Sequence, residues 1–152
     1  MNDKEMNDIF YVCSLIEYIA RKTHNYRKDI IKYFSKEDIK RQLRLAEVNH
    51  CLSFEQVSDE LIEEYHIRKG KYNLTENRNP MVSTATDIGR LFRKFILNKC
   101  EQNDVEQVLI DTFLSFDADE NSDLGNLTLQ IKDIEEEVAL YKKLILSTAR
   151  KK

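Results

Sequence analysis

Apolar positions recur at steps of three and four residues along most of the chain, the period of an α-helix and not of a strand. The first run spans Asp3 to Thr23, where Met6, Ile9, Cys13, Ile16 and Ala20 form one stripe. Phe10, Val12, Leu15 and Ile19 widen it towards the whole circumference, and a helix apolar on most sides belongs at the centre of a bundle. A short second helix fits Tyr26 to Phe34. Ser35 then offers a capping hydroxyl with Asp38 three residues on, and opens a third helix to about Val48. Ser53 repeats the device with Gln56, ahead of Phe54, Val57, Leu61, Ile62 and Tyr65. Thr84 with Asp87 caps a fifth helix, with Ile88, Leu91, Phe92, Phe95 and Ile96 inside and Arg90, Arg93 and Lys94 outside. Asn103 with Glu106 opens a sixth along Val105, Val108, Leu109, Thr112, Phe113 and Phe116.

A seventh and longest helix is predicted from Asn126 nearly to the end. Leu124, Leu127, Ile131, Ile134, Val138, Tyr141 and Ile145 alternate steps of three and four there, about three heptads of a coiled-coil seam. Such a seam serves either a bundle helix packed within its own chain or a contact with a second molecule. Leu129, Leu140 and Leu144 add apolar surface beyond it. Ile131, Ile134, Val138, Tyr141 and Ile145 are the candidate interaction residues. The polar stretch from Ile67 to Val82 carries Gly70 and Pro80 and reads as a linker. The expected organisation is an N-terminal four-helix unit (1–67), a linker (68–82) and a C-terminal three-helix unit (83–152). Units this small are expected to share one core.

Composition supports this all-α bundle. Three Gly and one Pro in 152 residues are too few for the turns of a β-sandwich or barrel. No run reaches the roughly 20 apolar residues of a membrane span. The N-terminus, acidic and polar, lacks the basic region of a signal peptide. A cytoplasmic protein without membrane contact is therefore expected. Cys13, Cys51 and Cys100 are odd in number and far apart, and read as reduced, small hydrophobic residues.

The net charge of −3 hides alternating blocks. Arg21 to Arg44 holds nine Lys/Arg against three acids, Glu47 to Glu64 six acids and no base, Arg68 to Lys99 eight bases against two acids. Glu101 to Glu137 holds twelve acids against one base, and the tail from Lys142 is basic again. Either basic and acidic helices lie side by side and screen each other, or a polarised surface steers a charged partner.

Candidate chemistry is sparse. The stretch Asp117-Ala-Asp119-Glu-Asn121-Ser-Asp123 places oxygen ligands at alternate positions, like the start of a calcium loop. Position six is Ser122, not Gly, and position twelve is Thr128, not Glu. Asp117, Asp119 and Asn121 are thus weak metal candidates beside a solvated acidic loop. His24, His50, His66 and Cys51 supply zinc-type ligands without ligand spacing. Arg27, Lys28, Lys32, Arg90, Arg93 and Lys94 could contact nucleic acid, although no helix-turn-helix, zinc-finger or RNP-like motif accompanies them. There is no phosphate-cradling Gly-rich loop, so no cofactor is expected. Arg44 and His50, five residues apart, match the Arg-x(4–6)-His pattern. That pattern resembles the one carried by the small helical ribonucleases of the HEPN superfamily. The resemblance implies a metal-independent cleavage with His50 as base on the ribose hydroxyl and Arg44 stabilising the phosphorane.

Residues 9–67 carry a second resemblance. An apolar helix ends in Cys13-Ser-Leu-Ile16-Glu17-Tyr18, Ile30-Ile-Lys-Tyr33-Phe34 follows, and a third helix reaches Glu47-Val48-Asn49-His50. Glu17, Tyr18, Phe34, Glu47, Val48 and His50 fall on positions of a family of short bacterial helical domains of unknown function, commonly encoded beside ADP-ribosyltransferase-like, toxin-type proteins. After His50 the chain reads Cys51-Leu52-Ser53, where that family usually has Thr-Gln-Gly. The resemblance implies a small partner-type protein, an antitoxin or accessory to a neighbouring enzyme, without catalytic residues. The leading expectation is accordingly a non-enzymatic protein–protein interaction protein, as a homodimer or with another chain. The alternatives are the ribonuclease and a nucleic-acid binder.

Overall fold

A computed structural model describes residues 2–72, 84–99 and 104–115. Among the described residues there are six α-helices and no strand: α1 (Asp3–Thr23), α2 (Arg27–Ile31), α3 (Lys36–Asn49), α4 (Phe54–Glu64), α5 (Ala85–Lys99) and α6 (Val105–Ser115). The predicted seventh helix with its seam, the acidic loop at 117–123 and the Asn103 cap lie outside the described residues.

The helix starts obey local chemistry. Asn2 accepts the Glu5 N–H at 2.8 Å, with acids in the first turn of α1 and Arg21 and Lys22 in its last, as the helix dipole favours. At α3 the Ser35 hydroxyl accepts the Asp38 N–H at 3.1 Å while the Asp38 carboxylate accepts the Ser35 N–H at 2.9 Å. Ser53 accepts the Gln56 N–H at 3.0 Å at α4, and Thr84 and Asp87 exchange the same pair of bonds at α5. The ends are less ordinary. His24 closes α1 at φ 59 and His66 follows α4 at φ 53. These are left-handed positions that usually take Gly, and His is among the few other residues enriched there. α2 is shorter than its predicted span. Tyr33 and Phe34 donate to the carbonyls three residues back, at 3.0 and 3.1 Å, and this tighter winding swings the chain into the Ser35 cap.

α1 runs through the middle. Ile9, Val12, Cys13, Leu15, Ile16 and Ile19 are each 2% exposed or less, and α2, α3, α4 and α5 all pack against α1. Ile88, Leu91, Phe92 and Ile96 of α5 and Leu109 and Phe113 of α6 belong to the same buried cluster. Phe92 and Phe113 meet with ring centroids 4.5 Å apart, and each buried ring contributes on the order of 2–3 kcal/mol by leaving water. α1 and α5 come close together at Gly89. A Cβ there would lie deep inside the Ser14 hydroxyl and 3.1 Å from the Phe10 carbonyl oxygen, so only a residue without a side chain lets the two helices come this near.

The charge blocks face one another. Lys22 of the first basic block pairs with Asp59 of the acidic block that follows, and Arg41 with Glu64 at 2.6 Å. Lys36 pairs with Asp104 at 2.5 Å. These pairs tie α3 to Glu64 of α4 and to Asp104 just ahead of α6. Exposed pairs of this kind contribute only about 0–1 kcal/mol each, and their effect is local screening. No helix among the described residues is long and apolar enough to cross a membrane.

Candidate functional site

α3 turns an unusual face outward. Its buried side is Ile39, Gln42 and Ala46, three- and four-residue steps in which the central side chain is a polar Gln. Its exposed side carries Lys40, Arg44, Leu45, Glu47 and Val48. Val48 is 67% exposed, Leu45 36% and Leu52, in the turn that follows, 38%; these three are the exposed large hydrophobics among the described residues. Leu45 and Val48 lie three residues apart and so share one face of α3, and Leu52 follows in the turn after the helix. Each methylene left in water forgoes about 0.8 kcal/mol of burial, and concentrating three such residues in one place is more telling than scattering them.

Beside these residues runs a groove of about 520 Å³ between the start of α1 and the end of α3. Lys4, Asp8, Phe10 and Tyr11 line it from α1, and Ala46, Glu47 and His50 from α3. Lys4 Nζ bridges the two sides, 2.8 Å from Asp8 and 3.7 Å from Glu47. The Tyr11 hydroxyl donates to the Asn49 carbonyl at 3.3 Å. Burial pushes the Tyr11 phenol up to about 12, so it stays a donor at neutral pH. An aromatic row backs this wall: His50 tilts on Tyr11 at 5.9 Å, Tyr11 stacks on Phe54 at 5.3 Å, and Phe54 on Tyr18 at 5.6 Å. On the other wall the guanidiniums of Arg90 and Arg93 stand 5.7 and 5.3 Å from the Phe10 ring, cation–π contacts that fix its orientation. The result is a groove with a polar rim beside exposed apolar side chains, without an arranged nucleophile and base.

The sequence candidates are dispersed. His50 ends α3 and lines the groove, whereas Arg44 is exposed on α3 and is not among the groove residues. Six positions at 100° per residue place the two about 120° apart around the axis. His24, His50 and His66 occupy the ends of α1, α3 and α4, and among the described residues no three His, Cys, Asp or Glu side chains group as metal ligands. Asp117, Asp119 and Asn121, and the seam residues Ile131, Ile134, Val138, Tyr141 and Ile145, lie outside the described residues.

The expected basic face is broken up. Arg27 is not on the surface: it is 3% exposed and clamps Glu17, which withdraws it from any phosphate. Lys32 lies 3.6 Å from Asp29, Arg90 pairs with Asp87 at 2.8 Å, and Arg93 is partly buried over Phe10. Neither Lys28 nor Lys94 is without a partner.

Sequence reasoning missed the ion cluster at the heart of the bundle. Glu17 is 2% exposed. Its carboxylate accepts from Arg27 Nε at 2.6 Å, Arg27 Nη2 at 3.1 Å and Arg21 Nε at 2.8 Å. Burial alone would raise the Glu17 pKa, but the Arg27 and Arg21 charges and their hydrogen bonds outweigh it and hold the carboxyl below its usual range. The Arg27 guanidinium also stands 5.6 Å from the Phe92 ring, linking α2 to α5. The available signal was an acid on a helix apolar nearly all round, with Arg four residues later. A charge there must be paired to be buried.

No family model matches the chain, and no curated protein or solved structure matches it.

Proposed function

We propose that this is a non-enzymatic protein that acts by binding another protein, and that the outer face of α3 with its adjoining groove is the binding surface. The observation that carries this reading is the exposure of Val48 and Leu45 on α3 and of Leu52 in the turn that follows. They supply an apolar centre. Lys40, Arg44, Glu47 and Lys4 supply a charged rim, the usual anatomy of a protein interface. Every large apolar side chain elsewhere among the described residues is at least partly covered, so these three stand out among them. The narrower version, an antitoxin or accessory protein for a toxin-type enzyme, is supported by the resemblance of residues 9–67. Of the residues that carry that resemblance, Val48 lies at the apolar centre of the surface and Glu47 and His50 line the adjoining groove.

The test is affinity capture of the tagged full chain and of its Val48→Glu variant from the native host, with nuclease added, read by mass spectrometry. The expected result is a stoichiometric protein that wild type retains and Val48→Glu loses. The same set of proteins from both baits overturns the reading.

A further inference from the structure

We infer that the groove beside α3 takes an arginine side chain of the bound protein, which replaces Lys4 between Asp8 and Glu47; the inference rests on the reading of α3 just given. The groove already holds a cation, and the chain itself supplies it. Lys4 Nζ lies 2.8 Å from Asp8 of α1 and 3.7 Å from Glu47 of α3, so carboxylates from two helices converge on one ammonium. The lining has two acids against one base, with Phe10, Tyr11 and His50 as its aromatic members. The fit to Lys4 is incomplete. Its ammonium is a point charge that reaches Asp8 closely and leaves Glu47 at the longer distance. Both side chains of that longer contact are exposed, and Glu47 meets no other base among the described residues. A guanidinium spreads its donors over a rigid plane. It can serve both carboxylates at once while lying against an aromatic ring of the lining. An arginine is therefore the better cation for this pair of acids.

The groove is continuous with the apolar face. Glu47 and Val48 are consecutive on α3, and one bound segment can set apolar side chains on Leu45 and Val48 and an arginine in the groove. Exchange of one cation for another leaves the charge of the groove unchanged; what favours it is the second carboxylate brought into hydrogen bonding. A neutral or acidic segment gains nothing of the kind, because displacing Lys4 would leave two carboxylates unpaired. Lys4 thus acts as an internal competitor that only a basic segment overcomes.

NMR titration of the full chain tests this with two probes: acetyl-Leu-Arg-Leu amide, and the same peptide with citrulline, a neutral isostere, in place of arginine. The arginine peptide is expected to shift the backbone amides of Asp8, Glu47 and His50 saturably, and the citrulline peptide to leave them in place. Glu47 is exposed, so Glu47→Gln should keep the fold while weakening the arginine peptide by about fivefold, the upper end for an exposed ion pair. Lys4→Ala removes the competitor and should tighten it by about the same factor. No binding of the arginine peptide, equal shifts from both peptides, an affinity that Glu47→Gln leaves unchanged, or one that Lys4→Ala fails to raise overturns the inference. Capture from the native host separates the two possible failures. A protein lost on Val48→Glu but retained by Glu47→Gln as by wild type removes the arginine anchor and leaves the protein-binding reading intact.

Discussion

Replacing Glu17 by Gln removes one charge at nearly constant shape, and the structure says it should be costly. Glu17 is 2% exposed and Arg27 3%, so neither can recover hydration by a small movement. Two guanidiniums share this one carboxylate, and Arg27 Nη1 and Arg21 Nη2 are already without hydrogen-bond partners among the described residues. The carboxamide keeps one acceptor oxygen, but its NH₂ faces guanidinium donors, and the buried site is left with two uncompensated cations. Breaking a buried ion pair from one side costs about 3–5 kcal/mol. For a chain of 152 residues this lowers Tm by roughly 6–20 °C, at about 2–4 °C per kcal/mol. Thermal and urea unfolding followed by circular dichroism measure it. The double variant Glu17→Met with Arg27→Met should recover most of the loss, because it removes the buried charges together. The pH dependence carries the same signature. The folded Glu17 pKa lies below the unfolded value, so its stabilisation is complete above the ordinary carboxyl pKa of about 4.3 and is lost as pH falls through the lower folded value. Glu17→Gln should lack that part of the acid destabilisation. A loss below about 1 kcal/mol for Glu17→Gln would refute the claim that this carboxylate neutralises the interior.

Two further outcomes follow from the geometry. Gly89→Ala should destabilise by about 1–3 kcal/mol through overpacking, despite the better helix propensity of Ala, whereas Ser14→Ala should be neutral or stabilising because its buried hydroxyl has no partner; the double variant, measured by chemical unfolding, should be milder than Gly89→Ala alone. Ser35→Ala removes one half of the α3 capping box and should cost about 1 kcal/mol, read in the same assay, with Ser35→Thr close to wild type.

The helical skeleton was legible because its signals are local. The three-and-four stripe from Met6 to Ala20 and the hydroxyl-plus-acid or hydroxyl-plus-amide spacings at Ser35, Ser53 and Thr84 involve residues that meet within one turn, and α1, α3, α4 and α5 begin where those signals stand. Helix ends were harder. His24 and His66 take left-handed positions without the Gly that normally marks them. The site was least legible because it inverts the pattern used to find helices. In α3, Gln42 is buried beside Ile39 and Ala46 while Val48 is exposed, so apolarity alone misplaces these two residues. Arg27 misled for the opposite reason: a basic residue between Tyr26 and Lys28 reads as surface, and only the fold brings it to Glu17, ten positions earlier in the chain.

The most direct measurement is the affinity of the captured protein partner for wild type and for Val48→Ala, by titration calorimetry. Val48 is 67% exposed, so the substitution should leave folding stability within about 0.5 kcal/mol. Burial of its side chain in a complex is another matter. Removing two methylene equivalents at about 0.8 kcal/mol each should weaken binding by roughly tenfold. Unchanged affinity with unchanged stability would show that the exposed face of α3 is not where this protein meets its partner.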